Sequence, residues 1–205
     1  MTTVTATALP AHIAPVPLPK AYRLLNHGPT VLVSARHEGR AGVMTAAWAC
    51  ALDLVPSRLT VVISKASATR RLLEASGRFA VQVPCAAQLE MVYALGTSSL
   101  ASDPDKLAHC GTQLFELPEA QGTPLVAGCA AWLACRLLPE PHNEQAYDLF
   151  IGEVEAAWAD TRVFRDGHWR FEHTGPEWRS LHYVAGGHFY AIGAPQDVPG
   201  VGMED

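Results

Sequence analysis

Residues 59–84 read LTVVISKASATRRLLEASGRFAVQVP, and this stretch predicts two strands joined by a short helix. Leu59–Ile63 and Phe79–Val83 are apolar runs rich in strand formers, and Pro84 closes the second run. Between them, Thr69–Ser76 contains good helix formers, and Gly77 stands where a C-terminal cap is expected. We therefore expect the order strand, polar loop, helix, strand.

The polar loop before this helix reads SKASAT, residues 64–69, and combines hydroxyl groups with the amine of Lys65. Backbone N–H groups at a helix start have no partner within the helix and attract anions. The loop is therefore a candidate phosphate site. The alternative is that Ser67 or Thr69 only caps the helix, as Ser and Thr do at many helix starts. The stretch alone leaves both interpretations open.

The composition predicts one soluble globular domain. The chain has 205 residues, of which 49% are apolar and 17% charged. A Pro-rich segment, residues 1–19, is expected to form an extended N-terminal arm, and residues 20–205 a single domain. The net charge of −5 does not indicate nucleic-acid binding. The longest apolar run, Leu125–Cys135, is too short to span a membrane, so we expect no membrane association.

Cysteine usage favours a reducing compartment. The five cysteines are odd in number and form no CxxC pair, which is typical of buried, reduced thiols in a cytoplasmic protein. The first residues do not have the pattern of a signal peptide. No HExxH or CxxC spacing is present, so we expect no metal site.

The remaining patterns predict a mainly β fold with short helices. Thr30–Arg36 and Ala41–Cys50 form a predicted hairpin, and Leu125–Leu138 and Tyr147–Trp158 are further predicted strands, with a polar loop at Pro139–Gln145. We expect about seven strands and two or three short helices. Because hairpins outnumber crossovers, an antiparallel barrel is favoured over a doubly wound sheet. No Rossmann or P-loop motif is present.

These pieces together resemble the flavin reductase-like family, whose fold is the FMN-binding split β-barrel. The family includes flavoredoxins, ferric reductases and the reductase components of two-component flavin monooxygenases. The resemblance covers residues 22–160 and rests on RLLNHGPTVLVSAR, GVMTAAWACALDLVPSRLTVVIS, TRRLLEASGRFAVQVP, DKL and YDLFIGEV, in that order.

The resemblance implies one FMN per subunit of a homodimer, close to the subunit interface. It implies that the loop 64–69, Ser67 included, holds the FMN phosphate, since Ser64, Lys65 and Thr69 match the family's phosphate-contacting positions. Lys106 matches a basic residue near the phosphate, although it could equally be an exposed surface lysine. The segment that matches the backbone lining the flavin ring and ribityl chain consists of Val43, Met44, Thr45, Ala46, Ala47 and Trp48. Without the resemblance, tight packing would explain that run of small residues.

Two positions depart from the family pattern. Gln82 stands where many members have Asn, so the polar contact there is expected to shift. Tyr147 stands where the monooxygenase-reductase branch usually has a His associated with pyridine-nucleotide use, which puts fast NADH oxidation in question.

The implied function is an FMN-dependent oxidoreductase that passes electrons from NAD(P)H to flavin or to a small-molecule or protein acceptor. The alternative is a tightly bound FMN electron carrier without its own NAD(P)H oxidation, and a metal or thiol enzyme is disfavoured. Because the cofactor carries the reaction, no catalytic side chain is expected. Residues that could line the exposed ring face, or simply fill the barrel end, are His142, His182, Tyr183, His188 and Tyr190.

Overall fold

The computed structural model describes residues 9–200. Its strands are β1 (Ile13–Pro15), β2 (Val31–His37), β3 (Arg40–Ala46), β4 (Ala49–Leu54), β5 (Ser57–Val62), β6 (Arg78–Val83), β7 (Leu114–Phe115), β8 (Leu125–Val126), β9 (Ala131–Leu138), β10 (Leu149–Asp160), β11 (Phe164–Arg165), β12 (His168–Trp169), β13 (Leu181–Ala185) and β14 (His188–Ala191). Its α-helices are α1 (Ala68–Ser76), α2 (Leu89–Thr97), α3 (Lys106–His109) and α4 (Pro141–Tyr147). Short 3₁₀ turns lie at Leu18–Leu24, Ala86–Gln88, Pro118–Ala120, Phe171–His173 and Pro176–Trp178.

One antiparallel sheet of eight strands organises the fold. Its order is β3-β2-β6-β9-β10-β5-β4, and β1 also pairs with β10. The two end strands, β3 and β4, are joined only by Ala47 and Trp48. The sheet therefore curls until its ends meet at this link, without a ladder between β3 and β4 among the described residues. The predicted mainly β, antiparallel fold is confirmed.

The central strands are buried on both faces of the sheet. On β2, Val31 and Val33 point into one apolar cluster, and Leu32 points into the other. On β6, Phe79 and Val81 belong to the first cluster and Ala80 to the second. The first cluster fills the curl of the sheet, and the second lies under α2 and the loops on the outer face. The site described below lies where α1 and α2 meet β3.

Residues 59–84 fold as predicted, in the order strand, loop, helix, strand. The helix α1 begins one residue before the predicted Thr69 and ends at Ser76. Gly77 caps it in the left-handed conformation, with φ 67°, and its N–H donates to Leu73 O at 2.9 Å. The strands on either side pair with β10 and β9, so α1 connects two non-adjacent strands of the same sheet.

Three predicted elements differ from the structure. The single strand Ala41–Cys50 is wrong, because the chain stops pairing with β2 after Ala46 and pairs with β5 from Ala49. The single strand Leu125–Leu138 is also wrong, since a turn with Gly128 at φ 81° separates β8 from β9. The loop Pro139–Gln145 is mostly the helix α4, with a proline in its first turn.

The described part of the predicted N-terminal arm joins the fold. Ile13–Pro15 pair with β10, and Val16 is buried in the core. Residues 1–8 of that arm, and residues 201–205 of the predicted single domain, lie outside the described residues.

Candidate functional site: a hydroxyl cavity beside an aromatic cavity

A cavity of about 220 Å³ lies between the start of α1, the end of α2 and β3. We call it the hydroxyl cavity. Its hydroxyl groups come from Thr45, Ser64, Ser67, Thr69, Ser98 and Ser99, and its one cationic lining residue is Lys106. A hydroxyl-rich space with a single cation is suited to an anion rather than to an apolar molecule.

The helix α1 opens towards this cavity. Ser67 occupies the N-cap position, but its side chain makes no capping hydrogen bond. Its Oγ lies instead 3.1 Å from Met44 Sδ. Because Ser67 does not cap the helix, the first-turn N–H groups, which have no partner within a helix, remain available to an anion. The loop thus resembles an anion site more than a self-capped helix start.

Lys106 lies at the opposite wall and is 3% exposed. Its Nζ donates to Leu95 O at 2.8 Å and to Ser98 O at 2.9 Å, at the carboxyl end of α2. Burial lowers the pKa of Lys106, although Cys110 and Asp103 oppose this effect. An ammonium group has three donors, so one remains for a ligand. Lys106 is therefore not the exposed surface lysine of the alternative interpretation.

Two residues with polar side chains that were predicted to contact the cofactor, Lys65 and Gln82, lie outside the hydroxyl cavity. Lys65 donates to Gln145 O at 2.6 Å and lies 3.7 Å from Asp148 Oδ1. Gln82 is fully buried in the sheet, where its Nε2 donates to Ser34 Oγ at 2.9 Å and its Oε1 accepts from Val126 N. Both polar atoms of the Gln82 side chain therefore have hydrogen-bond partners within the core.

The predicted flavin-lining segment is divided between the core and the cavities. Val43 and Ala46 are buried, whereas Met44 and Thr45 line the hydroxyl cavity. Trp48 is 74% exposed and does not line either cavity.

A second space of about 210 Å³, which we call the aromatic cavity, begins at Thr45 and Ala47. Its other lining residues are Val92, Tyr93, Gly96, Thr97, Tyr183 and Phe189. Thr45 and Gly96 line both cavities, so the two spaces are neighbours along β3 and α2.

The hairpin of β13 and β14 supplies one wall of the aromatic cavity. Of the five residues predicted to line an exposed ring face, only Tyr183 lines it. Sequence analysis missed Phe189, two residues before the end of the same hairpin, and Tyr93 on α2. Nothing in the sequence near Tyr93 indicates that it faces residues about ninety positions later.

Arg70 is a further residue that sequence analysis treated only as a helix former. It is 3% exposed, and its guanidinium donates to Glu74 Oε1 at 2.8 Å, Asp148 Oδ1 at 2.5 Å and Ile63 O at 3.1 Å. It also donates to Glu144 O at 2.8 Å and lies over the Phe150 ring. Arg70 thus fixes α1 to β5, α4 and β10, which positions the helix start at the hydroxyl cavity.

The cysteines are all free thiols. Burial raises the pKa of the Cys85, Cys129 and Cys135 thiols, which keeps them protonated and unreactive. Within residues 9–200, no group of three or more His, Cys, Asp or Glu side chains could hold a metal ion. No helix in this range is long and apolar enough to cross a membrane, and the cytoplasmic location stays a prediction.

Comparison with known proteins matches residues 22–186 to the model of the flavin reductase like domain. The chain belongs to the flavin reductase-like family. An FMN-binding domain of a flavin reductases-like enzyme from Shewanella baltica OS155 is 57% identical, with a TM-score of 0.89 over 91% of this chain and 97% of that one. The uncharacterized protein YddH of Escherichia coli K12 is 38% identical over 87% of this chain and 94% of its own length.

A more distant solved structure shares the fold. Flavoredoxin of Desulfovibrio vulgaris (Miyazaki F) is 21% identical, with a TM-score of 0.69 over 84% of this chain and 91% of that one. The predicted split-barrel fold and the predicted family are therefore both confirmed.

Proposed function

We propose that this protein binds FMN and passes electrons from NAD(P)H to flavin or to a downstream acceptor. The observation that carries the proposal is the hydroxyl cavity, which gathers Ser64, Ser67, Thr69 and Lys106 at an uncapped helix start. Membership of the flavin reductase-like family and the 57% identical FMN-binding domain from Shewanella baltica support the choice of cofactor.

The residues present fit the phosphate of FMN. The hydroxyls of Ser64, Ser67 and Thr69 and the remaining donor of Lys106 would hold the phosphate oxygens, together with the first-turn N–H groups of α1. Lys65 and Gln82 are not part of this set, because neither residue lines the hydroxyl cavity. Thr69 is 2% exposed, so its hydroxyl lies at the floor of the site.

The segment 43–48 is proposed to hold the rest of the cofactor. Met44 and Thr45 continue from the phosphate end along β3, and the link of Ala47 and Trp48 lies outside the ladder between β3 and β2. The carbonyl of Trp48 accepts from Val62 N at 3.0 Å, which fixes this link against β5. When bound, FMN supplies a ring that accepts and releases electrons, and the chain orients that ring and shields it from water. No side chain is proposed to transfer protons.

The second candidate function is a tightly bound FMN electron carrier that does not oxidise NAD(P)H. It is favoured by Tyr147, which occupies the position of the pyridine-nucleotide-associated His and is 63% exposed.

We also propose that the protein acts as a homodimer. The sheet ends at β4, where Trp48, Leu52, Leu54 and Val55 are 50–74% exposed. An apolar end strand of this kind is normally covered by another chain. A second copy of this protein bound to this surface would also place its own residues close to Trp48, beside the segment proposed to hold the cofactor.

The first experiment is a spectroscopic titration of purified protein with FMN, followed by anaerobic addition of NADH. Flavin bands that bleach with NADH support the reductase, and bands that bleach only with dithionite support the electron carrier. Failure to bind FMN would refute both.

The matched variants are Thr69→Val and Lys65→Met. Thr69→Val keeps the side-chain shape but removes the hydroxyl, so we expect about tenfold weaker FMN binding. Lys65→Met removes a cation from the same loop but outside the cavity, so we expect less than a threefold change. Equal loss in both variants would contradict the assignment of the phosphate to the hydroxyl cavity.

A further inference from the structure

The aromatic cavity differs from the hydroxyl cavity in its chemistry. None of its eight lining residues carries a charge. We propose that it binds a planar, uncharged molecule bearing a carbonyl oxygen, of the quinone class, and that this molecule is the electron acceptor. The proposed binding site is inferred from the cavity alone, whereas the proposed role of its ligand as electron acceptor rests on the proposed function.

Size and charge restrict the ligand first. The volume of about 210 Å³ is below the usual range of ligand sites, roughly 300–1,000 Å³, so the ligand has one or two fused rings rather than a nucleotide. No cationic side chain lines the cavity, so an anionic group would gain no charge-assisted hydrogen bond there.

The threonine hydroxyls of the cavity do not act as donors to a ligand. Thr45 Oγ1 donates to Val92 O at 2.6 Å, and Thr97 Oγ1 donates to Tyr93 O at 3.0 Å. Each hydroxyl has one proton, so both protons are committed to α2.

The tyrosines supply the donors that remain. Tyr183 Oη accepts a hydrogen bond from Gly186 N at 3.2 Å, which leaves its own proton free to donate. Tyr93 Oη has no hydrogen bond to any of residues 9–200. Two phenol donors in a cavity without charge recognise an acceptor atom, and a carbonyl oxygen on a flat ring satisfies this requirement.

The walls of the cavity are held in place. Tyr183 and Phe189 pack edge to face, with ring centroids 5.1 Å apart. The hairpin is anchored to the start of β2, since Thr30 Oγ1 accepts from Tyr183 N at 2.8 Å and Thr30 N donates to Leu181 O at 2.7 Å. The hairpin turn lies against Tyr93, because a Cβ placed on Gly187 would lie 3.2 Å from Tyr93 Cε2. A flat ligand thus meets ordered aromatic rings.

The proposed overall reaction is the two-electron reduction of the quinone by NAD(P)H. NAD(P)H supplies two electrons and one proton as a hydride equivalent, solvent supplies the second proton, and the quinone becomes the hydroquinone. The cavity begins at Thr45 and Ala47, within the segment proposed to hold the cofactor, so the acceptor lies next to the electron source.

The test measures binding of 2-methyl-1,4-naphthoquinone to the whole protein, with and without FMN, by isothermal titration calorimetry. Tyr93→Phe and Tyr183→Phe keep each ring but remove one donor, so each should weaken binding about tenfold. Tyr190→Phe, on the same hairpin but outside the lining, should leave it unchanged. The sulfonated anion 1,4-naphthoquinone-2-sulfonate should bind at least tenfold more weakly, and 2-methylnaphthalene should be insensitive to both tyrosine variants.

Three results would overturn the site: unchanged affinity in Tyr93→Phe and Tyr183→Phe, equal affinity for the sulfonated quinone, or exclusion of the quinone by FMN. Failure of the proposed function gives a different result. If the protein binds no FMN but binds the quinone with the expected dependence on the two tyrosines, the quinone site is supported and the role of the quinone as electron acceptor is refuted.

Discussion

Arg70 Nη1 donates to Asp148 Oδ1 at 2.5 Å, and this bond joins the helix of the hydroxyl cavity to the residue that precedes β10. The pKa of Asp148 lies below its usual value, mainly because its carboxylate accepts the hydrogen bond from Arg70. Asp148 itself has a left-handed backbone, with φ 57°, at the end of α4. The position of α1 therefore depends on a contact between residues far apart in the sequence.

Removing one partner of this pair should loosen the cavity. Arg70→Met removes a buried guanidinium that has four hydrogen-bonding partners, namely Glu74, Asp148 and the carbonyls of Ile63 and Glu144. We therefore expect a loss of about 3 kcal/mol in the free energy of unfolding. FMN affinity should fall as well, because the start of α1 loses its anchor. Urea unfolding and FMN titration measure the two effects.

The matched variant is Asp148→Asn, which keeps a side chain that tolerates the left-handed backbone and removes only the charge. It should destabilise the protein less than Arg70→Met. Since the folded-state pKa of Asp148 is lowered, its contribution is present above its ordinary pKa and is lost as pH falls through the lowered value. The acid sensitivity of wild-type protein should therefore be reduced in Asp148→Asn, and an unchanged pH profile would argue against this pair.

Gly42 should be required for the shape of the hydroxyl cavity. A Cβ at this position would lie 2.8 Å from Leu72 Cδ1 and 3.0 Å from Thr69 Oγ1. Gly42→Ala must therefore displace the side chain of Leu72 or Thr69, or the helix that carries both, and we expect at least fivefold weaker FMN binding with a destabilisation of about 1–2 kcal/mol. Gly193→Ala is the control, because a Cβ there has nothing within 4 Å. Wild-type FMN affinity in Gly42→Ala would show that the packing of Gly42 against α1 does not determine the shape of the cofactor site.

The features that could be predicted from the sequence are those that depend on neighbouring residues. The loop 64–69 and α1 follow from local signals, namely strand formers, hydroxyl residues, helix formers and Gly77. Pro141, followed by polar residues, is also a local helix-start signal, because proline is favoured in the first turn of a helix, so the helix α4 was in principle predictable from the sequence. Arg70 could not be recognised as an anchor, because Asp148 and Glu144 lie more than seventy positions away.

The break between β3 and β4 was missed for a related reason. The run from Ala41 to Cys50 has the composition of one strand, and its division at Ala47 reflects a change of partner from β2 to β5. Such a change depends on the closure of the whole sheet. The aromatic cavity is likewise assembled from β3, α2 and the last hairpin, and only the fold brings Tyr93 to Tyr183.

The exposed apolar end of the sheet should control the oligomeric state. Leu52→Glu places a charge on β4, and we expect the dimer to dissociate at least a hundredfold more readily, because an unpaired carboxylate would be buried at the interface. Sedimentation velocity over a concentration series measures this. Val184→Glu, at an equally exposed apolar position on β13, is the control and should not change the association. A wild-type protein that stays monomeric at high concentration would refute the proposed dimer.

His27 should make the stability depend on pH. Both ring nitrogens are buried without a hydrogen-bond partner among residues 9–200, and the ring packs against Trp169, Phe171 and His182. Burial, with a smaller effect of His182, lowers the pKa of His27 to about 4. The unfolded chain, with a His pKa near 6.5, therefore binds this proton more readily than the folded protein between pH 6.5 and 4.

The free energy of unfolding is therefore highest well above pH 6.5 and falls by about 3 kcal/mol as the pH drops to 4. His27→Phe removes the titrating group and retains an aromatic ring, so its free energy of unfolding should change much less between pH 7 and pH 4.5. Urea unfolding at the two pH values measures the difference, with the exposed His173→Gln as the control. If His27→Phe loses as much stability on acidification as wild type, another group is responsible and His27 is protonated without cost in the folded protein.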